Sequence, residues 1–166
     1  MKLKINRILD KHLKEAHKIY NYYIVNSYSN FEEIKVSFKD FYKNYKNITN
    51  KKLPYLVALN NEKVVGIAYL NKFRDKSGYR FAFENTIYVH NGYHKKGIGS
   101  KLLKKLILIS KKNHKIKKIV AVIAGIDSKA SVKIHKKNGF IISGILKKIG
   151  FKNGKWIDSI LMQKNV

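Results

Sequence analysis

Glu84 lies inside FAFENTIYV (residues 81–89), a run otherwise dominated by apolar and β-branched side chains. A carboxylate is out of place on such a strand. Partial burial would raise its pKa toward neutrality, the range in which a carboxyl group can both take and release a proton. The competing reading is an edge-strand ion pair with one of the many lysines. Shortly afterwards, HKKGIGSKLLKKL (94–106) places Gly97 and Gly99 at the head of an apolar-periodic segment. Glycines there let successive backbone N–H groups approach an anion at a helix N-terminus, and Lys95, Lys96 and Lys101 add positive potential. A nucleotide-triphosphate loop is ruled out, because Ile98 stands where the lysine must follow Gly97. A dinucleotide fingerprint needs a third glycine where Leu102 stands and an acidic residue roughly twenty positions on. Neither is present. The plainer alternative is a strand-to-helix turn beneath a solvated lysine patch.

Other candidates are single residues. His135 stands alone in SVKIHKKNGF, and the histidines at 12, 17, 90, 94 and 114 lack carboxylate neighbours at metal-ligand spacing. No metal site is expected. Arg74 and Arg80 are two of very few arginines in a lysine-rich chain, and a guanidinium grips a carboxylate through two parallel hydrogen bonds. There is no cysteine, hence no thiolate nucleophile and no disulfide framework.

The elements that must position these residues follow from periodicity. LKINRIL alternates as a first strand. Asp10 is placed to cap a helix running to about Asn26, and Ser37 to cap a second over FKDFYKNYKNI. Leu53–Leu59 and Lys63–Leu70 read as a hairpin turning at Asn60-Asn61-Glu62, and Tyr79–His90 as a longer strand. A helix is expected from about Gly97 to Lys112, then a strand buried on both faces in KIKKIVAVIAGI. A short helix, Ser131–Asn138, stops at Gly139, and two strands close the chain over Phe140–Ile149 and Lys155–Gln163. The order is βααβββαβαββ in one domain spanning 1–166.

That order, with a glycine loop between a long strand and a helix, resembles the GNAT superfamily of N-acetyltransferases. Its Gln/Arg-x-x-Gly-x-Gly/Ala signature is matched by His94-Lys95-Lys96-Gly97-Ile98-Gly99. IYNYYIVNS, YRFAFENTIYVH, AVIAGID, SVKIHKKNGF and GFKNGKWIDSILMQ resemble, in order and spacing, its phosphinothricin/methionine sulfoximine-type branch. The resemblance implies an α/β GNAT fold, a mixed, mostly antiparallel sheet with splayed middle strands flanked by helices. It implies acetyl-CoA held by Lys95, Lys96, Gly97, Ile98, Gly99 and Ser100. The pantetheine arm would pair along the strand edge at Ile87, Tyr88 and Val89, where a backbone N–H could face the thioester carbonyl. By the same resemblance Glu84 falls at the position of the glutamate proposed as the general base. His135 falls at the histidine position near the departing sulfur, with Tyr88 a weaker proton donor. Phe31, Arg74, Ser77, Gly78 and Tyr79 fall where the acceptor is bound, with Phe73 beside them. Two departures are His94, in place of Gln or Arg, and the shortened GIDSKAS segment, which puts Ser128 or Lys129 where an asparagine contacts CoA.

Length and charge bound these readings. The chain has 166 residues, with 36 Lys and Arg against 10 Asp and Glu, a formal charge of +26. Such a field attracts polyanions. Yet the lysines are spread over the whole chain, and its tyrosines recur at helical core spacing rather than alternating with lysine on one strand face. A specific nucleic-acid partner is therefore not expected, although a basic nucleic-acid-binding module is the rival class. No stretch reads as a signal peptide or membrane span, so a cytoplasmic protein is expected. The resulting expectation is an acetyl-CoA-dependent N-acetyltransferase acting on the α-amino group of a small amino acid or analogue. A protein N-terminal acetylase is a further alternative. Members of the resembled branch commonly dimerise, so a homodimer using the C-terminal strands is in view.

Overall fold

In the computed structural model, which describes residues 2–166, seven strands form one sheet in the order β1-β2-β3-β4-β5-β7-β6. The strands are β1 (Leu3–Arg7), β2 (Tyr55–Asn60), β3 (Lys63–Lys72), β4 (Ala82–Val89), β5 (Lys118–Ala124), β6 (Ile141–Lys152) and β7 (Lys155–Asn165). The helices are α1 (Leu13–Asn26), α2 (Phe38–Asn50), α3 (Ile98–Ser110) and α4 (Lys129–Lys137). All neighbouring strands run antiparallel except β4 and β5. This is the mixed, mostly antiparallel sheet that the resemblance implied.

Strand alternation decides what each face of β4 meets. Tyr88 stacks on Tyr23 and meets Tyr20 edge-on, so α1 covers the face shared by Glu84 and Thr86. Ile87 and Val89 approach Gly99 of α3 on the other face, and Asn85 meets His135 of α4 there. The core is continuous across the sheet, from Phe41 and Ile48 of α2 through Leu56, Ile67 and Leu70 to Leu102 and Leu106 of α3.

Among the element boundaries that differ from the sequence expectation, three have a visible physical cause. Asp10 does not cap α1: residues Asp10–His12 form a 3-10 turn, the His12 Nδ1 accepts the Leu9 N–H at 3.0 Å, and Asp10 accepts the Tyr45 hydroxyl at 2.9 Å. A tertiary tie to α2 has taken the carboxylate that a cap would use. β4 begins at Ala82 rather than Tyr79, because Ser77–Tyr79 closes into a 3-10 turn. β6 extends past Ile149 to Lys152, joined to β7 by the two-residue turn Asn153-Gly154, both at positive φ (48° and 73°). That is the backbone geometry an Asn-Gly hairpin provides. Ser37 does cap α2, accepting the Asp40 N–H at 3.1 Å. Among the described residues no helix is long and apolar enough to cross a membrane. Nor do three His, Asp or Glu side chains converge among them as a metal site would require.

Candidate active site

The site begins where two strands part. β4 and β5 pair only at Ala82–Lys118, Phe83–Ile119 and Glu84–Val120. Beyond that point β5 stays paired with β7 through Ala124, while β4 diverges toward α3. A cleft of about 950 Å³ opens between them, lined by Asn85–Val89 on one side and Ala121–Ala124 on the other. A polar arm threaded here would meet main-chain groups that a continuous sheet would have consumed.

The glycine loop stands at one end of this cleft. Gly97 is the N-cap of α3 with φ 73°, in the left-handed region that glycine tolerates, and Lys95 shares that region at φ 59°. No side chain caps α3 and no acidic residue occupies its first turn, so its leading N–H groups are available to an anion. A Cβ at Gly99 would make only ordinary contacts, with Ile134 at 3.5 Å, Val89 at 3.7 Å and Ile87 at 4.0 Å. The absence of a longer side chain there keeps the passage between α3, α4 and β4 open. Lys95, Gly97, Ile98, Gly99, Ser100 and Ser128 all line the cleft. The Ser128 hydroxyl makes no capping bond to α4, which leaves it free for a ligand. Lys96 is different: its ammonium turns back over the Tyr93 ring, 4.7 Å from the centroid, and reaches the Gly92 carbonyl at 3.4 Å. Anion contact from Lys96 is therefore left to its backbone.

Glu84 occupies the last paired position before the fork and lines both the main cleft and a smaller chamber of about 360 Å³. That chamber lies against α1 and α2, with Tyr20, Glu32, Asp40, Phe41, Tyr69 and Lys72 in its walls. No ion pair involves Glu84 among the described residues, which removes the edge-strand salt bridge as an explanation. Burial alone raises its carboxyl pKa from 4.5 to about 7. The carboxyl group can be reached from two sides.

On the opposite face, His135 is 3% exposed and packs edge-on against Phe140. Its Nδ1 donates to the Ser131 carbonyl at 2.8 Å, so the neutral ring leaves Nε2 to accept the Asn85 Nδ2 proton at 3.0 Å. Burial lowers the pKa of the ring. Both nitrogens are thus engaged, and the imidazole has no spare N–H for a departing group. Asn85 Oδ1, turned away from His135, is buried without a hydrogen-bond partner among the described residues, beside the fork. Tyr88 is no readier a donor: burial pushes its phenol well up, and its side chain is stacked on Tyr23 at 4.4 Å.

The remaining expected residues divide. Ile87, Tyr88 and Val89 line the cleft, but the Val89 carbonyl is already taken by the Tyr23 hydroxyl at 2.7 Å. His94 Nε2 lies 3.1 Å from the same carbonyl and 2.9 Å from Tyr23, so it locks α1 to the start of the loop instead of reaching outward. Phe31 lines the cleft. Arg74, Ser77, Gly78 and Tyr79 line neither chamber; Arg74 lies over the rings of Phe73 and Tyr79, 5.2 and 5.4 Å away. Tyr23 and Asn85 were not singled out by sequence reasoning. Tyr23 shared the spacing of the α1 core face. Asn85, a second polar residue inside the apolar run beside Glu84, was the available signal.

The family description "Acetyltransferase (GNAT) domain" matches residues 5–161. A phosphinothricin N-acetyltransferase of Alcaligenes faecalis is 32% identical over 158 residues, covering 95% of this chain and 79% of that protein. Among solved structures, a GNAT superfamily phosphinothricin acetyltransferase from Sinorhizobium meliloti in complex with AcCoA superposes with TM-score 0.95 at 31% identity. The match covers all of this chain and 89% of that one. A structure described as ribosomal-protein-alanine N-acetyltransferase from Brucella melitensis gives TM-score 0.94 at 31% identity over 98% and 99% of the two chains.

Proposed function

The chain belongs to the GNAT acetyltransferase family and is an N-acetyltransferase, and we propose that it moves the acetyl group of acetyl-CoA onto the α-amino group of a small amino acid or analogue. Phosphinothricin, methionine sulfoximine and methionine sulfone are the acceptors of choice for a first test. The carrying observation is Glu84: half-buried, without an ionic partner among the described residues, with a pKa raised to about 7, and lining both chambers at the fork of β4 and β5.

Acetyl-CoA would supply an acetyl group activated as a thioester. The α3 N-terminus and Lys95 would hold its phosphates, and Ile87, Tyr88 and Ser128 would flank its arm. The amine would enter by the smaller chamber. Glu84 takes the ammonium proton, directly or through water, so that a free lone pair is presented to the acyl carbon. Direct attack with both substrates bound is the route, since the chain has no cysteine to carry the acyl group. His135 acts here by fixing Asn85. Arg74, Ser77, Gly78 and Tyr79 stay outside both chambers; of these Arg74, stacked on Tyr79, is the one whose planar guanidinium would grip an acceptor carboxylate.

The Brucella relative's description favours a second reading, in which the acceptor is a peptide N-terminus. An acceptor screen of free amino acids, their analogues and short peptides separates the two. Thermal shifts with acetyl-CoA, CoA and duplex DNA at moderate salt test the class: stabilisation by acetyl-CoA that survives salt supports the enzyme, and stabilisation by DNA alone would refute it. We also propose a homodimer. β6 is an edge strand carrying exposed Ile141, Ile142, Ile145, Ile149 and Phe151, an apolar border that a second copy would cover. Light scattering that reports a monomer at micromolar concentration would remove it.

A further inference from the structure

Among the described residues Lys152 is the only buried lysine in a chain of +26, at 1% exposure. A buried amine without a carboxylate is unfavourable unless its protons are satisfied. No carboxylate pairs with it among the described residues. Instead Nζ donates to two main-chain carbonyls, Ser27 at 2.9 Å and Asn30. Burial lowers its pKa, opposed by the nearby charges of Glu33 and Glu32. Ser27 is the residue that ends α1, so the amine also lies at the negative end of that helix.

The segment it grips is the wall of the cleft. Ser27, Ser29, Asn30, Phe31 and Glu32 all line it, and Glu32 lines the smaller chamber as well. A second contact repeats the first. A Cβ on Gly150 would collide with the Phe31 ring, which lies directly on the β6 backbone. The far end of the same loop is held independently, by Asn21 and His17 of α1 bonding Val36. The loop is therefore clamped at Val36 by α1 and at Ser27–Phe31 by the β6–β7 hairpin.

We propose that Lys152 is a positioning residue: from the tip of the β6–β7 hairpin it tethers residues 27–32 and so sets recognition of the acceptor amine, without touching acetyl-CoA or the reacting atoms. The acceptor half of this inference rests on the function proposed above. Lys152→Met keeps the length and apolar bulk of the side chain but leaves both carbonyls without a donor. Gly150→Ala leaves the lysine in place and displaces Phe31 directly.

Amide hydrogen exchange of the full chain tests the tether without reference to any acceptor. In Lys152→Met, residues 27–32 should exchange faster while α3 keeps its protection. Kinetics with the amine that the parent acetylates fastest should show KM for that amine raised roughly tenfold in both variants, with acetyl-CoA affinity within about twofold of the parent. Unchanged protection of 27–32 in folded Lys152→Met overturns the proposal whatever the acceptor is. So does faster exchange with an unchanged acceptor KM, or a parallel loss of acetyl-CoA affinity that marks general damage. A parent that acetylates no amine sinks the proposed function, and the exchange result then decides the tether alone.

Discussion

Asn85 donates its Nδ2 proton to His135 Nε2 at 3.0 Å, across the β4–α4 interface of the cleft. Because His135 Nδ1 is spent on the Ser131 carbonyl, the hydrogen bond runs in only one direction for a neutral ring. It fixes the amide so that Oδ1 faces away from the histidine, beside the point where β4 and β5 part. The histidine position that resembles a proton donor in the sequence is thus occupied by a ring that orients its neighbour.

That assignment predicts a spectroscopic state. Nitrogen NMR of the histidine rings at pH 7 should show His135 neutral, protonated on Nδ1 and not on Nε2, and titrating below the usual 6.5. A depressed folded pKa means that this group's contribution to stability is present above 6.5 and lost as pH falls. An imidazolium at pH 7 would restore His135 as a candidate acid.

Gly99 should tolerate alanine and fail with valine. An alanine Cβ at this position meets only ordinary contacts, so Gly99→Ala should fold and bind acetyl-CoA within a few-fold of the parent. Gly99→Val places branched methyl groups in the passage beside Ile134, Val89 and Ile87, and acetyl-CoA affinity should fall by roughly tenfold or more with little change in melting temperature. Titration calorimetry on both variants reads this directly. Parent-like affinity in the valine variant would mean the ligand does not pass there.

Arg74→Lys keeps the charge and loses the planar fork. The expected outcome is a higher KM for the acceptor, with kcat and acetyl-CoA affinity nearly unchanged. Unaltered acceptor kinetics would remove Arg74 from acceptor binding and leave Arg80, stacked on Phe81 at 4.5 Å, as the next arginine to test.

Glu84 should destabilise the protein once ionised. The folded state holds its proton to about pH 7, whereas an unfolded carboxyl releases it near 4.5. The stability this group contributes is therefore complete below pH 4.5 and lost as pH rises through 7. Glu84→Gln does not titrate, so its stability relative to the parent should increase over that window, by up to about 3 kcal/mol. Denaturant melts at pH 4.5 and pH 8 check the sign. A variant less stable than the parent at pH 8 would point to an ionic partner for the carboxylate.

The order of elements was legible because most of them bury one periodic face: α2 is aromatic at helical spacing behind Ser37, and β5 is apolar on both sides. Glu84 was legible for the related reason that a charge interrupts an apolar strand. What the sequence hid is tertiary. Asp10 has the chemistry of a cap, and only the approach of Tyr45 shows where its carboxylate is used. Lys152 reads as one more surface lysine, because the segment it serves is far away in the chain and contributes only main-chain carbonyls. The end of β6 was obscured by Gly150 and the lysines around it, although Asn153-Gly154 marked the hairpin.

The central claim is that Glu84 takes the proton from the acceptor amine, and the kcat–pH profile of Glu84→Gln against the parent tests it most directly. The amide preserves shape and can hold a water, but it cannot accept that proton. With acetyl-CoA binding unchanged, kcat near pH 7 should fall by roughly 10²–10⁴-fold, and the deficit should shrink as pH rises toward the amine's own pKa, where solution supplies the free amine. A rate close to the parent's at pH 7, or a deficit that stays constant across the whole range, would contradict the account.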